Sequence, residues 1–287
     1  MLDTIRLLSA VFKVRIGLAI TLCALAGLAV TPGHAGAWQI TVVALAVLFS
    51  SASAGAFNQY VERDLDARMA RTRERPFVTG RLKATGYWLA IIVVLLLVSV
   101  AAVAVAVNAA SALYVFLGAF FYGVVYTVWL KRRSWTNIVL GGLAGSFAVL
   151  AGAAAVDPEL APAPIVLAIV LFLWTPPHFW SLAMAYREDY ARAGVPMLPV
   201  VVGDQLAATV ILAHTVLLVG LSLVPAVYGL GWIYLTAAVI GGFIFTKASV
   251  QLRRAPGRES AMRNFHASLV QLSLLLLGAI LDAWLLA

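Results

Sequence analysis

Charge is what this chain has least of. Charged residues fill 11% of its 287 positions, against roughly 25% in soluble domains, while 63% are hydrophobic. A soluble globule of this size cannot hide that much apolar surface. Cysteine is almost missing: Cys23 stands alone, so no disulfide closes within the chain and a disulfide scaffold is excluded. The same apolar content excludes disorder. What remains is an all-α polytopic membrane protein. A bilayer-spanning helix needs about 20 apolar residues. Nine such helices need about 180, close to the chain's whole apolar content.

Nine long apolar runs are present, near 14–31, 38–57, 87–107, 111–130, 138–156, 164–185, 207–227, 232–250 and 265–286. Thr31-Pro32-Gly33, Asp157-Pro158, and Gly229 with Gly231 punctuate them. The 87–130 segment is twice the bilayer thickness and must break, near Asn108. All 20 basic residues fall before the first run, between the second and third, after the fourth, after the sixth, or around the junction of the eighth and ninth. The alternate loops have none, which places the N-terminus in the cytoplasm and the C-terminus outside. The net charge of +8 is then topology and not a nucleic-acid footprint. Basic residues, an apolar 16–30 stretch and Ala35-Gly36-Ala37 also resemble a cleavable signal peptide. The h-region is long for that, and the nine-span count does not need cleavage.

The scarce acids are concentrated. Residues 58–76 hold four of the twelve acidic residues and five arginines. Asn58, Glu62 and Asp66 are spaced i, i+4, i+8, so a continued second helix would carry them as one stripe. Oxygen donors grouped this way suit Mg²⁺, and neighbouring arginines suit phosphate oxygens. Asp64 would point to the opposite side of that helix, toward Arg68. Mixed charge in a loop is usually a solvated juxtamembrane anchor, but an Asn opening the stripe at a membrane helix end favours a site.

A second cluster follows the sixth run: Trp174-Thr175-Pro176-Pro177-His178-Phe179-Trp180, then Arg187-Glu188-Asp189-Tyr190 and Arg192. The adjacent prolines should break or kink that helix. If the helix recovers, His178, Asp189 and Arg192 share a face. A buried histidine bonded to backbone is the bland reading for His178. A shift of 123 residues lays Asp66 on Asp189, Pro76 on Pro199, Val78 on Val201 and Gly80 on Gly203. The chain then reads as one domain of two pseudo-repeated four-helix halves, about 14–130 and 138–250, plus a ninth helix at 265–286.

The pattern from Asn58 through Glu62, Asp64, Asp66, Met69, Arg71 and Thr72 to Arg75-Pro76 resembles the first aspartate-rich motif of the UbiA superfamily of intramembrane prenyltransferases. Leu130-Lys131-Arg132-Arg133, the Pro-Pro-His segment, Arg187-Glu188-Asp189-Tyr190 and Gly194-Val195-Pro196-Met197-Leu198-Pro199-Val200 are similar to the haem-farnesylating branch of that superfamily. Glu62 stands where the family usually has Asp, a change that keeps charge and reach. The resemblance implies an enzyme that joins farnesyl diphosphate to haem B with water, giving haem O and diphosphate. It implies Mg²⁺ on Asn58, Glu62 and Asp66, and a second acidic site at Asp189 with Glu188. It further implies diphosphate donors among Arg71, Arg75, Lys131 and Arg192; Asp64, facing Arg68, would be an orienting residue of the substrate site and not a ligand. Asn137 would line the mouth and His178 would touch haem. Phe57, Tyr60, Tyr122, Tyr126, Phe179 or Trp180 would shelter an allylic cation. The implied setting is the bacterial inner membrane, with lipid around the helices and transient contact with a haem A synthase. A prenyltransferase for an aromatic quinone precursor and a secondary transporter are the rival readings. Transporter charges usually sit near the midplane, whereas these sit at helix ends.

Overall fold

A computed structural model describes residues 2–286. No strand occurs among the described residues. Eight helices are each long and apolar enough to cross a bilayer: Ala37–Val61, Gly86–Ala106, Ala109–Leu130, Asn137–Val156, Pro162–Ala185, Asp204–Tyr228, Trp232–Arg254 and Arg258–Leu285. A bent pair at the N-terminus, Leu2–Val11 and Val14–Ala29, meets at 53° and supplies the ninth span. The spans are numbered one to nine in that chain order. The apolar runs therefore mark most helix ends to within about four residues, while the ninth helix starts at Arg258, seven residues before its run. The eighth helix runs on to Arg254, so Lys247 lies inside it. Large apolar side chains such as Leu97, Val98, Val105 and Phe243 face outward, as a lipid-facing surface requires.

Where lipid is as apolar as leucine, small residues and backbone approach hold helices together. Spans one and five touch backbone to backbone. A Cβ added at Gly152 would lie 1.8 Å from the Ala24 carbonyl oxygen, and one at Gly27 would lie 2.1 Å from that of Val149. Hydroxyls and an amide tie other pairs: Ser111 donates to Ala151 O at 2.7 Å, Asn108 to Ala154 O at 2.8 Å, and Ser146 to Ala168 O at 2.8 Å. Asn108 also accepts from Ser111 N, capping the fourth span where the 87–130 segment breaks.

Two helices depart from expectation. The sixth span runs unbroken through Pro176 and Pro177. Each proline removes one rung, but the rest of the ladder and the packing of this helix against spans five, seven and nine keep it continuous. The fourth span changes to π-helix over Phe121–Leu130, with Lys131 N bonded to Tyr126 O, five residues back, at 2.9 Å. That widened turn brings residues four to five apart onto one face, so Tyr122, Tyr126 or Thr127, and Lys131 stack in a column. A regular α-helix would keep Tyr122 and Tyr126 together but would turn Lys131 about 140° away from Tyr126.

Candidate active site

The second span ends at Val61, yet its hydrogen bonding carries on: Glu62 N reaches Asn58 O at 3.0 Å and Asp66 N reaches Glu62 O at 2.8 Å. The i, i+4, i+8 row therefore persists into the short helix Arg63–Asp66. Asn58, Glu62 and Asp66 are all buried, Glu62 completely.

Each of the three side chains is met by a cation. Lys13, at the knee of the first span, donates from Nζ to Asn58 Oδ1 at 2.7 Å and to the Tyr122 hydroxyl at 3.0 Å. Lys131 pairs with Glu62, buried on both sides. Arg75 Nη1 lies 2.6 Å from Asp66 Oδ2. Asn58 Nδ2 donates to Thr127 Oγ1 at 3.0 Å, so the π-helical column supplies both Lys131 and Thr127 to the acidic row. Tyr122 and Tyr126 stack at 5.5 Å, with the Lys13 and Lys131 ammonium groups each 5.4 Å from a ring centroid. Beside the row opens a cavity of about 340 Å³ lined by Ala10, Lys13, Ile16, Gln59, Arg71, Glu74, Arg75 and Pro76.

The second acidic loop meets the first. Arg71 Nη2 lies 3.4 Å from the Tyr190 hydroxyl, and Tyr190 packs in one core with Leu65 and Met69. Asp189 is buried and paired with Arg192. Among the described residues Arg71 makes no ion pair, which leaves its guanidinium at the cavity with free donors.

Other expected members are placed differently. Asp64 pairs with Arg132, just past the end of the fourth span, through two 2.7 Å bonds and not with Arg68. These bonds hold the Asp64 carboxyl below the ordinary carboxylate range. Glu188 is exposed. Asn137 is fully buried: its Nδ2 donates to Ser134 O at 2.6 Å and its Oδ1 has no partner. The helix that carries His178 breaks at Tyr186 (φ −120°, ψ 30°), and Asp189 lies beyond it in the separate turn Arg187–Arg192. His178 is 6% exposed and lies between Trp174 and Phe265 at ring-centroid distances of 4.2 and 4.4 Å. Trp180 is buried against Trp135 and His214, and Tyr60 carries Arg63 over its ring, so neither joins the tyrosine column.

Lys13 was not legible as a site residue. In sequence it is one more basic residue before the first span, and its left-handed backbone (φ 48°, ψ 44°) carries no local signature.

Asp282, the one acid deep in the ninth span, caps the eighth: it accepts from Ile233 N and Tyr234 N at 3.1 Å each, and from Gly231 N. A helix-capping carboxylate is not free to couple transport.

Residues 20–270 match the UbiA prenyltransferase family. The chain is 54% identical over 283 residues to "Protoheme IX farnesyltransferase 2" of Paramagnetospirillum magneticum, covering 98% of each chain. It is 47% identical to "Protoheme IX farnesyltransferase 1" of the same organism, covering 97% of this chain and 99% of that one. Among solved structures, a UbiA homolog from Archaeoglobus fulgidus bound to GPP and Mg²⁺ superposes with a TM-score of 0.74 at 18% identity, covering 96% of this chain and 99% of that one. A digeranylgeranylglyceryl phosphate synthase superposes with a TM-score of 0.80 at 18% identity, covering 98% and 99%. These likenesses are to the fold. The nine-span bundle, the acidic row and the family match over most of its length agree, and the chain belongs to the UbiA prenyltransferase family.

Proposed function

We propose that this chain transfers the farnesyl group of farnesyl diphosphate to a vinyl group of haem B, with addition of water, giving haem O and diphosphate. The observation that carries the reading is the buried row Asn58, Glu62, Asp66 faced by Lys13, Lys131 and Arg75 beside an open cavity. The relative at 54% identity supports the choice of haem as acceptor over an aromatic quinone precursor.

The row fits a divalent cation. Glu62 Oε1 is buried with no hydrogen-bond partner, an orphaned carboxylate oxygen that a cation would satisfy. No group of three or more His, Cys, Asp or Glu among the described residues could hold a metal by itself. The amide oxygen of Asn58 and the diphosphate's own oxygens would complete the set, which is how Mg²⁺ is commonly bound. Asn58, Glu62 and Asp66 would hold one ion, and Asp189 a second. Bound there, Mg²⁺ would neutralise charge on the departing diphosphate.

The chain's own groups do the rest. Lys131, Arg75 and Arg192 pair with Glu62, Asp66 and Asp189, and Lys13 donates to the Asn58 amide oxygen. With substrate bound, the same four groups would turn to diphosphate oxygens, joined by Arg71. The farnesyl C1–O bond breaks and its electron pair leaves with the diphosphate. The vinyl group attacks the allylic cation, water adds to the resulting carbocation, and one proton is released. The stacked faces of Tyr122 and Tyr126 stand beside the row, placed to shelter positive charge. The surrounding apolar bundle keeps water from the cation until the carbon–carbon bond forms.

The two halves are proposed as a structural repeat. Gly80 and Gly203, 123 residues apart, both adopt positive φ, +76° and +79°, and helix breaks at Glu62 and Tyr186 precede both acidic loops. By the distribution of basic residues, the acidic loops and the N-terminus face the cytoplasm, the C-terminus faces outside, and the setting is the bacterial inner membrane. There the product passes to a haem A synthase by transient contact. The test is incubation of the purified chain with farnesyl diphosphate and either haem B or an aromatic acid. Haem O in the first mixture supports the reading, and a prenylated aromatic acid in the second alone overturns it.

A further inference from the structure

Ser268 lies in the ninth span, ninety residues from His178 and outside every motif that pointed to the site. Its hydroxyl makes two short contacts. Oγ is 2.6 Å from the Phe265 carbonyl oxygen and 2.7 Å from His178 Nδ1. A carbonyl oxygen cannot donate, so two oxygens at 2.6 Å need the serine hydrogen between them. Bonding to the carbonyl one turn back is a common serine habit in helices. That uses the one hydrogen the hydroxyl has, so the hydrogen in the second contact must come from the ring. His178 is therefore protonated at Nδ1. No carboxylate pairs with this histidine among the described residues, so the lone pair of the neutral ring sits on Nε2.

Position is fixed as firmly as tautomer. Trp174 stacks on one ring face at 19° and Phe265 on the other at 25°. The Trp174 indole N–H donates to the Ser268 carbonyl oxygen at 2.9 Å. Ser268 thus anchors the ring through its hydroxyl and one wall of the clamp through its backbone. With both faces covered and the Nδ1 edge taken, Nε2 is the ring nitrogen left without a partner among the described residues.

We propose that Ser268 is a positioning residue that locks His178 as the Nδ1–H tautomer and presents Nε2 as an axial ligand to the iron of the haem substrate. This is the device by which metal-bound histidines are oriented in general, with the second ring nitrogen held by a fixed acceptor. The inference rests on the haem B reading above.

The test titrates ferric haem into the detergent-purified full chain without farnesyl diphosphate, read by Soret absorbance and electron paramagnetic resonance. Pyrophosphate with Mg²⁺ is titrated in parallel by calorimetry. The parent chain is expected to give a histidine-ligated haem spectrum that His178→Ala abolishes. Ser268→Ala is expected to weaken haem binding by about 10- to 100-fold and to shift the spectrum, leaving pyrophosphate binding unchanged. Ser268→Thr, which keeps the hydroxyl, is expected to restore both haem readouts. If His178→Ala keeps the parent spectrum, the haem-ligand reading itself fails. If that variant loses the spectrum while Ser268→Ala matches the parent, the Ser268 proposal is overturned. Equal loss of haem and pyrophosphate binding in Ser268→Ala also overturns it, since that marks a merely structural residue. Should Ser268→Ala not fold, Ser268→Cys replaces it. The weaker acceptor is expected to give intermediate haem affinity, and parent-like affinity overturns the proposal.

Discussion

Lys13 and Asn58, forty-five residues apart, are joined by a 2.7 Å bond from Nζ to Oδ1, and the same ammonium reaches the Tyr122 hydroxyl at 3.0 Å. Three spans thereby converge on one charge. The contact is possible because the first span bends by 53° at the position where Lys13 adopts a left-handed backbone. That conformation is unfavourable for a non-glycine residue and persists only when its surroundings hold it.

Lys13→Met is accordingly expected to lower kcat/KM for farnesyl diphosphate by about 10²- to 10³-fold, the scale for losing one preorganised charged donor. Lys13→Arg should recover part of that. Steady-state kinetics with purified variants checks both. Parent-like kcat/KM in Lys13→Met would remove Lys13 from the site.

Lys131 and Glu62 form a buried pair. Removing one partner strands a buried charge, which costs about 3–5 kcal/mol. Lys131→Met alone is therefore expected to melt lower than the double variant Lys131→Met with Glu62→Gln. All three variants, including Glu62→Gln alone, should lose prenyl transfer. Thermal melts in detergent compare them, and a double variant less stable than both singles would contradict the pairing.

Asp64 and Arg132 are a half-exposed pair, so their bond contributes no more than about 1 kcal/mol. The Asp64 carboxyl is depressed chiefly by hydrogen bonds from Arg132. A depressed carboxyl adds stability above its unfolded pKa, about 3.9, and that share is lost as pH falls through the folded value. Asp64→Asn is expected to change stability by less than about 1 kcal/mol at pH 7 and kcat by less than about tenfold. Asp66→Asn, at the buried row, should abolish turnover.

Gly152→Val should give no folded protein, since even a Cβ there would lie 1.8 Å from the Ala24 carbonyl oxygen and the first and fifth spans would part. Asp282→Ala should only lower stability, by about 1–2 kcal/mol through loss of a helix cap, with turnover retained. Size-exclusion profiles and melts read both outcomes. Loss of turnover in a folded Asp282→Ala would revive a functional role for that acid.

The spans were legible because membrane helices announce themselves by length and apolarity, and the basic residues mark one end of each. The row Asn58, Glu62, Asp66 was legible because a spacing of four survives the helix break at Glu62. Lys13, the π-helical column and Ser268 were not. Their partners are 45, 69 and 90 residues away, and each depends on how spans pack and not on local pattern. Pro176-Pro177 misled about a break for a related reason: the propensity of two prolines was outweighed by the packing that keeps the sixth span continuous through them.

Prenyl transfer by the buried row is tested most directly with farnesyl diphosphate and haem B supplied to the purified chain, with Mg²⁺ or with EDTA. Haem O and diphosphate in equal amounts with Mg²⁺, none with EDTA, and none in folded Glu62→Gln or Asp66→Asn are expected. Haem O formed at an undiminished rate in EDTA, or by those two variants, would contradict the assignment.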